Sequence, residues 1–431
     1  MTSLAISSRT VCFGIVSLFL PVILSAQAAS PVAAPPQPAV ETKSPWDFTS
    51  SITVKETYDD NVFLQDTTYL AHKRSMVTSA TPSLALAFQQ IPEFKASISY
   101  APEVVYYHSH SSENHVAHRG ALNLGGKVDN SAWEINNTFI GIDGSDIGPT
   151  FDIVNGGDTP AVGGIPLRDR RDALIYRNSS RFTQTFGKLF LRPVFTAYSH
   201  DFQTRQSAAL GYVNYIDRYD VNGGLDIGYE LWTKTWLVLG HRYGSQHQGM
   251  RLGTGSPYCS TYHRALAGIE GTPTNWLKLN VLAGPDFRNF SASNLPAAFD
   301  RNELLWWVDA SATITIGKND TITTLVTRYE QTAFTSQSVY EDILYSLTWR
   351  HKFSDKLATT VGMKMYEGDW QAPVTRDDVI YTPSIGVTYT FNKHLTADFA
   401  WSYDAVNSEV PNTTGREYTR NLVSLSAKYS F

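Results

Sequence analysis

The feature that most constrains this chain is an alternation of apolar and polar residues sustained over stretches longer than a dozen residues. From Arg218 to Leu231, Tyr219, Val221, Leu225, Ile227, Tyr229 and Leu231 occupy one parity, and Arg218, Asp220, Asn222, Asp226 and Glu230 the other. Leu277, Leu279, Val281 and Phe287 alternate with Lys278, Asn280, Asp286 and Arg288, and the segments 301–317, 377–391 and 395–406 repeat the pattern. Side chains with period two belong to strands that bury one face. Strands of globular sheets usually stop near five or six residues. A tilted strand crossing an outer membrane needs about 9 to 11, plus extension at both ends. The fold class expected is therefore all-β, a transmembrane antiparallel β-barrel, rather than a soluble sandwich.

Connections alternate in kind as well. Short ones at Ile91-Pro92, Asp129-Asn130, Lys318-Asn319 and Asn392-Lys393 interleave with long ones near 145–169, 248–260, 291–300 and 407–415, the asymmetry of periplasmic turns and outer loops. About eighteen strands result, and sixteen is the alternative, because the phases blur over 170–204 and 320–334. An even number brings both ends of the barrel to the periplasm, and pairing of the first and last strands leaves no backbone edge in lipid. Trp133, Trp276, Trp349, Tyr389 and Phe391 fall at periplasmic ends, where an aromatic girdle belongs. Trp232 and Trp236 fall there too, but on the inward phase.

Ahead of the strands, Arg9, the apolar run Val11–Leu24 and Ala26-Gln27-Ala28 form a signal-peptide pattern over 1–28. Residues 29–45, with Pro31, Pro35, Pro36 and Pro38, read as a periplasmic linker, and 46–431 as one barrel. Bacterial outer-membrane localisation is the consequence. With 35 Lys and Arg against 40 Asp and Glu, the net charge is −5, so nucleic acid is not an expected partner. Cys259 is the sole cysteine beyond the signal segment, which excludes an intramolecular disulfide.

The chain ends with Val423, Leu425, Ala427, Tyr429 and Phe431 on one face. It resembles the C-terminal strand by which outer-membrane barrels are recognised for assembly, with Tyr429 and Phe431 as the assembly signal and the barrel assembly machinery as the implied partner. Near the other end, Val54 to Phe63, with Tyr58, Asp59, Asp60, Asn61, Val62 and Phe63 at its core, resembles the first-strand signature of the β-barrel porin type-two family. That resemblance implies an outer-membrane channel associated with exopolysaccharide loci.

No Ser, His and acid spacing names a catalytic triad, so no enzyme and no cofactor are expected. His108, His110, His115 and His118 cluster at a predicted outer loop, with Glu113 the one nearby carboxylate. A polar loop is the simpler reading than a metal site. The inward parity supplies the pore-lining candidates Arg177, Arg181, Arg192, Arg218, Asp220, Asp226, Glu230, Arg242, Arg264, Lys278, Asp286, Arg288, Asp309 and Arg350. Their signs balance, whereas a conduit for a polyanion is expected to carry excess positive charge. A neutral or mixed polymer, or small solutes, fits that balance, and the expectation, as the family resemblance implies, is a channel bounded by outer-membrane lipid that passes a secreted polysaccharide. A diffusion porin for small hydrophilic solutes is the alternative, and a closed scaffold for adhesion, acting through its loop at 145–169, is a third reading.

Overall fold

The computed structural model describes residues 44–67, 69–91, 93–144, 146–148, 167–169, 172–203, 216–249, 258–291, 295–333, 338–371, 375–410, 413–414 and 417–431. The signal segment, the linker up to residue 43 and most of the 145–169 loop lie outside the described residues.

The chain is an antiparallel barrel. Twenty strand pieces share one sheet. Phe94–Tyr100 and Glu103–Tyr107 are two parts of one wall strand, and Thr413–Thr414 is a stub on its neighbour, which leaves eighteen staves. They are β1 (Trp46–Asp59), β2 (Ser75–Ile91), β3 (Phe94–Tyr100 with Glu103–Tyr107), β4 (His115–Val128), β5 (Ser131–Gly144) and β6 (Ala173–Phe186). Then come β7 (Leu189–Phe202), β8 (Arg218–Trp232), β9 (Thr235–Gln248), β10 (Ser260–Thr274), β11 (Leu277–Phe290) and β12 (Asn302–Ile316). Last are β13 (Asp320–Thr332), β14 (Val339–Lys352), β15 (Leu357–Trp370), β16 (Arg376–Thr390), β17 (Leu395–Val410) and β18 (Tyr418–Ser430). Each stave pairs with the next, and β18 returns to β1 from Ser51↔Ser430 to Asp59↔Leu422, so the ring is closed.

Burial is inverted relative to a soluble fold. On β8, Tyr219, Val221, Leu225, Ile227 and Tyr229 are exposed while Arg218, Asp220, Asn222 and Asp226 are buried. The apolar parity faces outward, and the polar parity fills the interior, as a barrel in lipid requires. Exposed aromatics form two belts, with Tyr58, Tyr106, Tyr219, Tyr243 and Trp306 toward the outer ends and Trp46, Trp232, Trp276, Trp349 and Tyr389 toward the short turns.

Three local departures matter. Pro102 lacks an amide hydrogen and interrupts β3, yet the pairing with β2 resumes in the same register, Leu84↔Tyr100 giving way to Ala80↔Val104. A register shift between Glu230 and Trp232 turns Trp232 outward, contrary to its sequence phase, because a bulge reverses the parity of the residues beyond it. Trp236 keeps the inward phase and packs on Phe190 at 5.2 Å. The third departure is at the β12–β13 seam, where pairing ends at Val308↔Arg328. Above that point β12 remains paired with β11 as far as Asn302, and β13 with β14 as far as Thr332.

Candidate functional site in the barrel lumen

The outer end of the β1–β18 joint is a side-chain clasp. The Arg420 guanidinium donates to both carboxylate oxygens of Asp59, at 3.0 and 2.6 Å. Asn421 donates its backbone amide to Asp60 Oδ1 at 2.7 Å and its side-chain amide to Oδ2 at 2.8 Å. Asn61 donates Nδ2 to the Thr419 carbonyl at 2.8 Å, and its own amide bonds Asp59 Oδ1 at 3.0 Å. Beyond Tyr58, which faces outward, the segment turns inward. Val62 packs with Val77, Val105 and Tyr107, with Phe63 against that cluster, and Leu64 with Leu344, Tyr366 and Tyr418. The segment singled out by resemblance thus closes the ring and covers part of the outer mouth.

Across the interior from the clasp, β7 to β11 carry a ladder of alternating charge. Asp226 receives Arg192 Nε at 2.9 Å and Arg242 Nη1 at 2.6 Å, and Arg192 reaches on to Glu270 at 2.7 Å. One turn of the ladder further out, Asp286 receives Arg264 at 2.7 Å and Arg288 at 3.1 Å. Tyr262 donates its hydroxyl to Asp220 at 2.7 Å and lies beneath the guanidinium groups of Arg264 and Arg288, 4.1 and 4.8 Å from its ring centre. Glycine makes room for these groups: a Cβ on Gly240 would collide with Asp226 Oδ1, and one on Gly244 with the Tyr262 ring.

Ten of the fourteen pore-lining candidates are therefore buried: Arg177, Arg192, Arg218, Asp220, Asp226, Arg242, Arg264, Asp286, Arg288 and Asp309. They point inward, but at this height the interior is packed with side chains, so they meet one another rather than open water. Arg181, Glu230 and Lys278 line a cavity of about 920 Å³ near the short turns, together with Trp236, Glu270 and Thr313. Arg350 lines a separate hollow of about 470 Å³ with Thr321, Thr323 and Thr348. A further cavity of about 390 Å³ lies under the clasp, bordered by Lys55, Lys364, Asp404 and Arg420.

Tyr262, Gln246 and Gln248 also belong to this interior, beyond the candidates that the sequence supplies. Their parity with Arg264 and Arg242 is the signal that finds them. Glu330 carries the outward parity of β13 yet is buried against Arg288 at 3.6 Å, and no parity argument finds it.

The histidines do not converge. His108 bonds the Thr78 hydroxyl at 2.8 Å, His115 the Glu113 carbonyl at 3.0 Å and His118 the Tyr100 hydroxyl at 2.7 Å, while His110 packs on Phe63. At the far end, Tyr429 and Phe431 are exposed on the outward face, 5.1 Å apart between ring centres.

No curated protein sequence matches the chain. Among solved structures, OccK2 (OpdF) of Pseudomonas aeruginosa aligns over 89% of this chain and 98% of its own, at 12% identity and a TM-score of 0.44. The siderophore receptor PiuA of Acinetobacter baumannii aligns over 91% and 82%, at 10% identity and a TM-score of 0.44. The Tyr58–Phe63 segment lies outside the span that matches a family model, which covers β12 to β18 and the loop before them. The chain is thus a closed antiparallel β-barrel whose residues 294–431 match the family described as "Putative beta-barrel porin 2", the family whose first-strand signature its Tyr58–Phe63 segment resembles.

Proposed function

We propose that this barrel is a channel through which a neutral or mixed-charge secreted polysaccharide leaves the cell. The observation that carries this reading is the cavity at the periplasmic end. Its hydroxyl and amide groups, Thr183, Thr185, Asn280, Ser311, Thr313 and Thr323, surround the aromatic surfaces of Trp236 and Phe190. Sugar rings offer both a rim of hydroxyls and a face of C–H groups, and such a lining meets both. Both of its arginines are paired in place, Arg181 with Glu134 at 2.7 Å and Arg192 with Glu270 at 2.7 Å, and the rest of its charge is mixed, Lys234 and Lys278 beside Glu230. A conduit for a polyanion is instead expected to show a surplus of cations. This cavity, of about 920 Å³, lies toward the short turns, the side from which an exported polymer arrives in this reading, while the outer mouth is narrowed by Leu64 and by the end of β13 and β14. Outer-membrane lipid and the barrel assembly machinery are the other partners this reading requires.

Deletion of the gene tests it. Polymer recovered outside the cell should fall while its synthesis continues, and the cavity variant Trp236→Ala should lower the export rate without loss of folded barrel. Unchanged extracellular polymer together with slower uptake of small hydrophilic solutes would replace this reading with the diffusion porin.

A further inference from the structure

At the β12–β13 seam, pairing rises from Ile316↔Asp320 to Val308↔Arg328 and stops. The same register continued upward would set Trp307 against Tyr329 and Leu305 against Gln331. Instead Tyr329, Glu330, Gln331 and Thr332 are all buried, and so are Val339, Tyr340, Glu341 and Asp342 on the strand they pair with. A wall strand buries one parity only. Burial of both places this end of the hairpin inside the barrel.

Side chains of β8 and β9 hold it there. Arg218 Nη1 donates to the Thr332 carbonyl at 2.7 Å, Gln246 Nε2 to the Glu330 carbonyl at 3.3 Å, and Gln248 Nε2 to the carbonyls of Ala333 and Ser338 at 2.7 and 3.3 Å. Every one of these acceptors is a main-chain oxygen. Two features oppose the arrangement. Strand β12 has no partner above Val308 on its β13 side, and Glu330 is buried with the Glu303 carboxyl beside it and its nearest cation 3.6 Å away. Continued pairing with β12 would return Glu330 to the outward parity that it shares with Ile322, Val326 and Arg328, at the rim beside Glu341.

We propose that the outer end of β13 and β14 is the gate of the channel, closed in this structure and opened when Tyr329–Thr332 leave the lumen to pair with Leu304–Trp307. Opening exchanges the latch bonds from Arg218, Gln246 and Gln248 for strand bonds, and frees the interior beside the charge ladder. The proposal rests on the channel reading above.

Two cysteine pairs in a Cys259→Ser background test it. Leu305→Cys with Gln331→Cys become direct cross-strand neighbours only in the open arrangement, at a separation that suits a disulfide. Gln248→Cys with Ala333→Cys, joined by a short bis-maleimide, fix the closed one. In planar bilayers the oxidised open pair should raise single-channel conductance severalfold, with reductant reversing it in the same membrane, and the joined closed pair should conduct less than before joining. A heat-dependent gel shift checks that each barrel is folded. Failure of the 305–331 disulfide to form in a folded barrel would overturn the gate, as would conductance indifferent to both locks. A disulfide that forms while neither state conducts would overturn the channel reading instead.

Discussion

Arg420 of β18 grips both carboxylate oxygens of Asp59 on β1, so the first and last staves are joined by an ion pair as well as by strand bonds. Asp59 is fully buried and Arg420 nearly so. Removing one member of such a pair leaves the other charge uncompensated in the interior. Arg420→Ala and Asp59→Ala should each cost about 3 to 5 kcal/mol, seen as a lower temperature for conversion of the compact to the unfolded band in detergent gels. The double variant should lose much less than the sum, and additive losses would rule out the coupling.

The charge ladder and the periplasmic cavity should answer neutralisation differently. Asp226 holds Arg192 and Arg242 together, so Asp226→Asn takes the shared carboxylate from both, leaving Arg192 to Glu270, and should lower the unfolding temperature. Lys278 borders the cavity with its side chain exposed. Lys278→Gln should leave unfolding unchanged within error and shift cation preference in a reversal-potential measurement. The reverse outcome would mean that the two levels of the interior have been interchanged.

Luminal glycines should tolerate no side chain. A Cβ on Gly240 meets Asp226 Oδ1, and the ladder cannot retreat because Arg192 and Arg242 hold that carboxylate from two sides. Gly240→Val should reduce folded barrel recovered from membranes, whereas Gly317→Ala, in a turn with nothing near its Cβ position but a φ of +61°, should cost about 1 kcal/mol from backbone strain alone.

On the outer wall, Ile227 sits between Leu191 and Leu239, both exposed and apolar. Lysine here should cost about 2 to 4 kcal/mol if the site lies at the bilayer midplane. Urea titration of the barrel refolded in vesicles measures this, and a cost below about 1 kcal/mol would place Ile227 at an interface.

Much of this architecture is legible in the sequence, since alternation alone separates Ile227 from Asp226 and Val308 from Asp309. Eighteen staves emerge with ends misplaced by only a few residues. What alternation cannot convey is how far the inward parity is packed. Asp226 and Arg288 read as pore lining, yet whether they meet water depends on Arg242, Tyr262 and the β13 end, which come from other staves. Trp232 departs from its sequence phase because a bulge between Glu230 and Trp232 reverses parity without any residue that announces it. The segment 320–334 has a blurred phase for a physical reason: its upper residues are covered on both sides, so Tyr329 and Gln331 are selected by one neighbour and Glu330 by another.

The bond between Asp59 and Arg420 spans 361 positions of chain. Bringing such distant points together costs on the order of 5 kcal/mol in chain entropy, from the logarithmic growth of closure entropy with length, and no contact made earlier in the ring is forced to repay it. Until β18 arrives, β1 presents an unsatisfied edge that any other strand could capture, and the carboxylates of Asp59 and Asp60 are without the Arg420 and Asn421 donors that distinguish the right strand from a wrong one. The clasp thus adds side-chain complementarity to the one strand pairing that joins the two ends of the barrel.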